Sequence, residues 1–409
     1  MTTDGARSDT EQLLRTLAPQ VLAALTRRYG DFHAAEDAVQ EALLAASQQW
    51  ATETPPRDPR AWLIRVASRR LIDALRSDSA RRRREELDAN DPLLGQHAKP
   101  ADEPAPSSDD TLQLYFLCCH PALTRASQLA LTLRAVGGLT TAQVAAALLV
   151  PERTMAQRIS RAKGTIRAAG LSVGAPADSE RISAVLAVLY LMFNEGYAAS
   201  SGPEMVDVDL CDEAIRLVRM LRATGLGDRE TDGLLALLLL TDARRAARVQ
   251  DGALVPLAEQ DRSRWDAGKI EEGRELLVGA LKAGDPGTFL LQAAIAAVHA
   301  DAPTAAQTDW PQILELYRML RAVAPTGANA LGLAVAIAEV HGPRAGLRAL
   351  VIAEQDAAVA GSHRLRAARG HLLARAGDVA AARAELQAAA RMTASVPEQR
   401  YLHRVIAGL

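Results

Sequence analysis

Apolar positions between residues 11 and 50 recur at helical spacing, with Leu13, Leu14, Leu17, Val21, Leu22 and Leu25 on one stripe and Ala38, Val39, Ala42, Leu43 and Ala46 on a second. The pattern predicts two helices. Thr54-Pro55-Pro56-Arg57 interrupts it, and Asp58-Pro59 opens a third helix through Trp62, Ile64, Val66, Leu71, Ile72 and Leu75, because proline is tolerated at the first helical position. That helix then loses its apolar stripe and runs into the basic stretch Arg81-Arg82-Arg83-Arg84. Between residues 85 and 108, Pro, Asp, Gly and Ser replace the apolar positions, which predicts a flexible linker. A second helical block, 109–172, contains the breaker Gly137-Gly138 and the turn Leu149-Val150-Pro151. Gly174 and Pro176 mark a further boundary, after which residues 180–409 are patterned as helices punctuated by Pro and Gly. Within that stretch Gly370, Leu373, Ala382, Leu386 and Ala389 flank a turn at Gly377-Asp378, as in a tetratricopeptide hairpin, and no second copy aligns with it. The expected fold class is all-α.

Composition supports close helix packing. Of 409 residues 49% are apolar but only 3% aromatic, so the cores must be built mainly from Ala, Leu and Val. The net charge of -2 is unevenly spread, since residues 81–84 are basic and 88–110 hold most of a local acidic excess, so nucleic acid is not excluded as a partner. Three cysteines, two of them adjacent, cannot form a disulfide framework and suit a reducing compartment. The first residues lack a basic segment followed by an apolar one, and the longest apolar runs fall short of the ~20 residues that span a bilayer. A cytoplasmic protein without a membrane partner is the expectation.

Three segments carry candidate chemistry. Thr140 can cap a short helix with Val144, Ala145 and Leu148 inward; a turn follows, then a helix that sets Arg153, Thr154, Gln157, Arg158 and Arg161, with Lys163 beyond, against Met155, Ile159 and Ala162. This is helix-turn-helix spacing, suited to base edges and phosphates in a major groove, although an ordinary helical hairpin with a solvated basic face has the same pattern. In the third helix Trp62, Arg65, Arg69, Arg70 and Arg76 combine phosphate-binding guanidinium groups with an aromatic face on which an unpaired base can stack; a solvated, basic helix end is the plainer reading. Ala35-Glu36-Asp37-Ala38-Val39-Gln40-Glu41-Ala42 is an acidic first turn on an amphipathic helix, by itself readable as a solvated face. Cys118-Cys119-His120 lacks the spacing of a tetrahedral metal site, and no phosphate loop, nucleophile elbow or His-Glu-x-x-His motif occurs. No catalytic residue, metal or cofactor is expected.

The three segments, in this order and joined by a Pro-rich linker, resemble the extracytoplasmic-function (ECF) sigma factors of bacterial RNA polymerase. The resemblance implies that residues 9–84 are region 2, 85–108 the linker and 109–172 region 4. It further implies that Asp37, Gln40 and Glu41 meet the clamp helices of the polymerase β′ subunit, that region 4 meets the β flap, and that Trp62, Arg65, Arg69, Arg70 and Arg76 melt and read the minus-ten promoter element. Arg153, Thr154, Gln157, Arg158, Arg161 and Lys163 would read the minus-thirty-five element. The segments 116–123, 193–202 (Phe193-Asn194-Glu195-Gly196-Tyr197), 210–217, 260–266 (Gln260-Asp261-Arg262-Ser263-Arg264-Trp265-Asp266) and 309–313 resemble the subgroup with a long tetratricopeptide-like extension, here 180–409. In that subgroup the extension is a modulator of activity, so an intramolecular contact with the sigma core is expected. The chain departs from the subgroup at Gly332-Leu333, where Asn-Arg is common, and at His371, where an acid is common. Read from the residues alone, Asn194, Glu195, Tyr197, Asp261, Arg262 and Trp265 either line a groove or lock helix crossings.

Overall fold

Helix boundaries fall where the chain can satisfy or bypass the open backbone groups of a helix end. α1 (Thr3–Tyr29) stops at Gly30, whose φ of 75° is a left-handed conformation that costs glycine little. Asp31 then accepts from the Ala34 N–H at 3.0 Å and starts α2 (Phe32–Gln49). Asp58 does the same for α3 (Pro59–Glu85), accepting from the Ala61 N–H at 2.9 Å. The computed structural model describes residues 3–51, 53–85, 110–169 and 178–409, and the side chains of 77–85 are outside that set. The expected linker and the Arg81–Arg84 side chains therefore lie outside the described residues, as do residues 170–177. The described chain divides into two units, Met1–Val188 and Leu189–Leu409.

In the first unit α1, α2 and α3 pack on one another around Leu25, Val39, Leu63 and Leu71. α4 (Thr111–Cys118) is apolar over most of its surface, and all of its residues but Gln113 are buried; a helix of that kind is stable only when enclosed. It lies between α1 and α5 (Arg125–Ala135). α6 (Thr141–Ala147) begins with a full capping box, in which Thr140 Oγ1 accepts from the Gln143 N–H and Gln143 Oε1 accepts from the Thr140 N–H. α7 (Glu152–Ala168) packs on α5 and α6. Two ion pairs join the early helices to the later ones. Arg27 donates to both oxygens of Asp110, at 2.9 and 2.8 Å, and Lys163 Nζ lies 2.6 Å from Glu36 Oε2. Both carboxylates are nearly out of water, at 6% and 5% exposure.

α8 (Ser179–Tyr197) belongs to both units by sequence position, and the second unit continues through α9 (Val208–Ala223), α10 (Arg229–Asp242), α11 (Ala267–Leu281), α12 (Thr288–Asp301) and α13 (Trp310–Val323). It ends with α14 (Gly327–His341), α15 (Pro343–Glu354), the single turn α16 (Ala357–Ala360), α17 (His363–Arg375), α18 (Val379–Met392) and α19 (Val396–Ala407). Asp207, Asp228, Asp266, Asp309 and Asp378 each accept a backbone N–H at a helix start, so the acid before an apolar run is the signal that opens most of these helices. The helices stack largely in chain order, each against its neighbours.

The stack holds more than the one hairpin expected from the sequence. α17 and α18 form it, and a Cβ on Gly370 would meet Leu386 Cγ at 2.7 Å. α14 and α15 form a second one, in which a Cβ on Gly346 would meet Ala338 Cβ at 2.5 Å. This copy escapes alignment because Gly342 alone, at φ 83°, makes its turn, and Ala334, Ala338, Leu350 and Ala353 supply its core in place of the Leu-rich set of the later hairpin. Gly332, one of the departures from the subgroup, is occupied from the other side: a Cβ there would meet the Tyr317 ring at 2.4 Å. His371, the other departure, has its Nε2 3.1 Å from the Tyr401 hydroxyl.

Short strands tie the second unit to itself. β1 (Ser201–Gly202) pairs in parallel with β4 (Ala394–Ser395), and β2 (Val249–Gln250) with β3 (Ala253–Leu254) in a tight hairpin. α19 lies against that hairpin, its Arg400 and Arg404 donating to the carbonyls of Gly252 and Leu254 at 3.2 and 3.3 Å. The last residues of the chain are thereby built onto the first part of the extension.

Two outcomes follow from this packing. Gly346→Val forces the α14–α15 crossing apart and lowers stability by about 1–3 kcal/mol, measured as a fall in the thermal midpoint; an unchanged midpoint contradicts the close approach. The three thiols are buried, and burial first of all pushes Cys118 well up, Cys119 to about 11 and Cys211 to about 12. At pH 8 a thiol reagent should therefore label the native protein slowly and the unfolded protein rapidly at all three cysteines, and rapid native labelling of any of them contradicts their burial.

Candidate nucleic-acid interface

α7 is amphipathic in a specific way. Met155, Ile159, Ala162 and Ile166 are buried against α5 and α6, which turns Arg153, Thr154, Gln157 and Arg161 outward into solvent. Arg158 is half-buried on one flank of that face, and Lys163 is half-buried on the other, held by Glu36 of α2. The turn before α7 places Leu149 at φ 54°, a left-handed conformation that L side chains adopt at a cost, and leaves it 52% exposed. Capping box, short helix, sharp turn and longer helix together form the helix-turn-helix expected from the spacing.

α3 presents its basic edge on the opposite side from Leu63, Ile64, Ala67 and Leu71. Arg65, Arg69, Arg70 and Arg76 are exposed there, and Trp62 is half-buried with its ring tilted at 56° to that of Trp50, 5.3 Å between centroids. The packing fixes the orientation of the Trp62 ring while leaving part of it accessible. On α2, Asp37, Gln40 and Glu41 are exposed opposite Ala35, Ala38, Val39 and Ala42. His33 Nδ1 lies 3.1 Å from Asp37, and Arg70 reaches Glu41 at 2.7 Å, so residues assigned to two different partner surfaces meet at one edge of the three-helix bundle. Both pairs are solvated; such pairs contribute about 0–1 kcal/mol and separate readily.

Residues singled out in the extension sort into two groups. Glu195 accepts from the Ser200 N–H and hydroxyl at 3.1 and 2.9 Å, Asp261 caps a short 3-10 turn through Ser263, and Arg262 donates to the carbonyls of His299 and Ala302 while lying over Trp265, 4.6 Å from its ring centroid. These lock the fold. Asn194, Tyr197 and Gln260 instead line a common cavity, and with them stand Arg244 and Arg248, which sequence reasoning did not single out. The only signal for the two arginines is the run Arg244-Arg245…Arg248 after an apolar helix, which carries no motif.

Glu36 was quoted in the acidic segment without a role; its burial follows from a position on the apolar side of α2, which an acidic residue masks in a hydropathy pattern. Cys118 and Cys119 are buried side by side, and the His120 ring accepts the Ala122 N–H at its Nδ1. No helix among the described residues is long and apolar enough to cross a membrane.

Comparison with known proteins agrees with this geometry. Residues 13–81 match the model for sigma-70 region 2 and residues 113–166 that for sigma-70 region 4, while 181–281 match a family of unknown function (DUF6596). An uncharacterized protein of Rhizobium meliloti (strain 1021) is 39% identical over 390 residues, covering 94% of this chain and 92% of its own. No solved structure matches. The region 2 match ends where α3 turns basic and the region 4 match contains the whole helix-turn-helix, so the chain belongs to the sigma-70 factors of ECF type, which bind core RNA polymerase and promoter DNA, and it carries a helical C-terminal extension.

Proposed function

We propose that this factor engages the polymerase β′ clamp helices through Asp37, Gln40 and Glu41 and the β flap through region 4, that Trp62, Arg65, Arg69, Arg70 and Arg76 open and hold the minus-ten element, and that α7 reads the minus-thirty-five element. The observation that carries the reading is the outward face of α7, where Arg153, Thr154, Gln157 and Arg161 stand together opposite a fully buried stripe. Guanidinium and amide groups so placed can donate to guanine and adenine edges while the exposed helix start approaches the phosphates. Arg158 adds a contact from the flank. Lys163 is paired with Glu36 in this arrangement, so it serves DNA only once α7 has moved off α2; the free chain holds a promoter ligand in reserve. The basic edge of α3 supplies phosphate contacts, and Trp62 a stacking face for an unpaired base. The extension modulates this activity.

Run-off transcription with purified core polymerase on a cognate promoter tests the assignment. Initiation should depend on this protein, and Arg158→Ala and Arg161→Ala should each reduce promoter use by about 1–3 kcal/mol of binding, the worth of a base-specific contact. Unchanged promoter use by both variants moves the reading face elsewhere. A chain ending after Gly174, with its helix content checked by circular dichroism, should initiate at a different level from the full protein; equal activity removes the modulating role of the extension.

A further inference from the structure

The second unit holds an open cavity of about 440 Å³ between α8, the segment 244–260, α17 and α19. Tyr190, Asn194 and Tyr197 come from α8, Arg244 and Arg248 from the turn after α10, and Gln260 from the segment that follows β3. Two segments singled out in the sequence for no evident reason, 193–202 and 260–266, thus converge on one space. Arg364 and Glu398 complete the wall.

The cavity is electrically lopsided. Among the described residues no carboxylate lies within ion-pair distance of Arg244, Arg248 or Arg364, and the Nε atoms of Arg244 and Arg248 are out of water without an acceptor. Arg248 lies flat on Tyr197, its guanidinium carbon 3.9 Å from the ring centroid, which fixes the direction of its donors. Glu398, the one acid in the wall, is already engaged by His363 at 3.1 Å and by the Thr393 hydroxyl at 2.6 Å. The immediate neighbour shows that the chain can neutralise an arginine here when the fold alone requires it: Arg245 is held by Asp212 and Asp242 at 2.6 and 2.7 Å. Burial holds Arg244 below its usual pKa although it hydrogen-bonds Tyr197, and burial, with a smaller contribution from Arg244 and Arg262, presses nearby His299 down to about 4. Cations left unpaired in such a place are costly unless an anion joins them.

Gln260 adds a second requirement. Its Nε2 donates to the Val255 carbonyl at 3.0 Å, but its Oε1 is buried and accepts nothing, so the occupant must bring an N–H or O–H donor. Asn194 stands nearby with its amide unengaged, able to donate or accept, and Tyr190 offers a ring face. A space of this size, lined by arginines and by the amides of Asn194 and Gln260, falls within the range of small-molecule sites.

We infer that this cavity binds a small organic monophosphate, its phosphate held by Arg244, Arg248 and Arg364 and its hydroxyl or amino donors by Gln260 and Asn194. The site sits where the two ends of the extension meet, because Glu398 belongs to α19 and Asn194 to α8. Occupancy therefore bears on whether that closure holds, which gives the extension a chemical input of its own. The inference is independent of the transcriptional reading above, since it is tested without polymerase or DNA.

Titration calorimetry on the full chain decides it, with inorganic phosphate, ribose 5-phosphate and adenosine monophosphate as probes and ribose and adenosine as uncharged controls. The monophosphates should bind, tighter than inorganic phosphate, and the uncharged controls should not. Arg248→Gln and the more exposed Arg364→Gln should each weaken binding about tenfold or more, as loss of a charge-assisted contact requires, and Asn194→Asp should weaken it by adding a negative charge to the wall of a cavity that holds an anion. Circular dichroism and the thermal midpoint of each variant distinguish lost binding from lost fold. The absence of binding by any phosphate probe at millimolar concentration, or full affinity in Arg364→Gln, overturns the assignment. Binding of inorganic phosphate as tight as that of the organic monophosphates overturns the role given to Gln260 and Asn194.

Discussion

Two carboxylates, Glu36 and Asp110, are buried between the first three helices and the four that follow, and each must keep a cation because an unpaired buried charge is far more costly than an exposed one. That requirement fixes the first unit. Arg27 holds Asp110 at the start of α4, where the helix terminus also favours a negative charge, and Lys163 of α7 holds Glu36 of α2. Between these two points lies α4, which has little polar surface to offer water and must stay enclosed. The pairing therefore sets which surfaces remain available: the outer faces of α2 and α3 are free, and α7 is free on one side while one of its cations is engaged inward. A factor built in this way keeps α7 beside α2 through the buried pair of Lys163 and Glu36.

The second unit answers a different constraint. In a chain with only 3% aromatic residues it has few large side chains to fill space between distant helices, so helices must come close, and Gly346 and Gly370 sit where a single added carbon would strike the facing helix. Alanine and leucine cores then suffice, as at Ala334, Ala338 and Leu350, or Leu386 and Ala389. The Gly332–Tyr317 contact shows the same economy of space: a ring from α13 takes the volume that glycine leaves.

The all-α class, the helix starts and the helix-turn-helix were legible in the sequence because they depend on local chemistry. Asp58-Pro59, Thr140 with Gln143, and the spacing of Met155, Ile159 and Ala162 each act within one or two helical turns. The outward polar side of α7 was legible for the same reason. What was not legible depends on partners far along the chain. Lys163 was read as a DNA contact, and only the fold shows Glu36, 127 residues earlier, at its tip. The α14–α15 hairpin was missed because its close approach is made by Gly346 and Ala338, small residues that leave no periodic signal of their own. The arginines of the cavity were missed because Arg244 and Arg248 look like the basic end of a helix, and only the absence of acids around them distinguishes them.

The pairing of Ser201–Gly202 with Ala394–Ser395 joins residues almost two hundred positions apart, and α19 packs on a hairpin made near the start of the same unit. Bringing such distant segments together carries a chain-closure cost that is recovered only when the whole intervening stack is in place. During synthesis, then, regions 2 and 4 can fold while the extension is still incomplete, and the extension reaches its final form only once α19 has been made. Loss of the final fifteen or so residues to premature termination or proteolysis would therefore reach well beyond the C-terminus, unfastening α8 and the hairpin at 249–254.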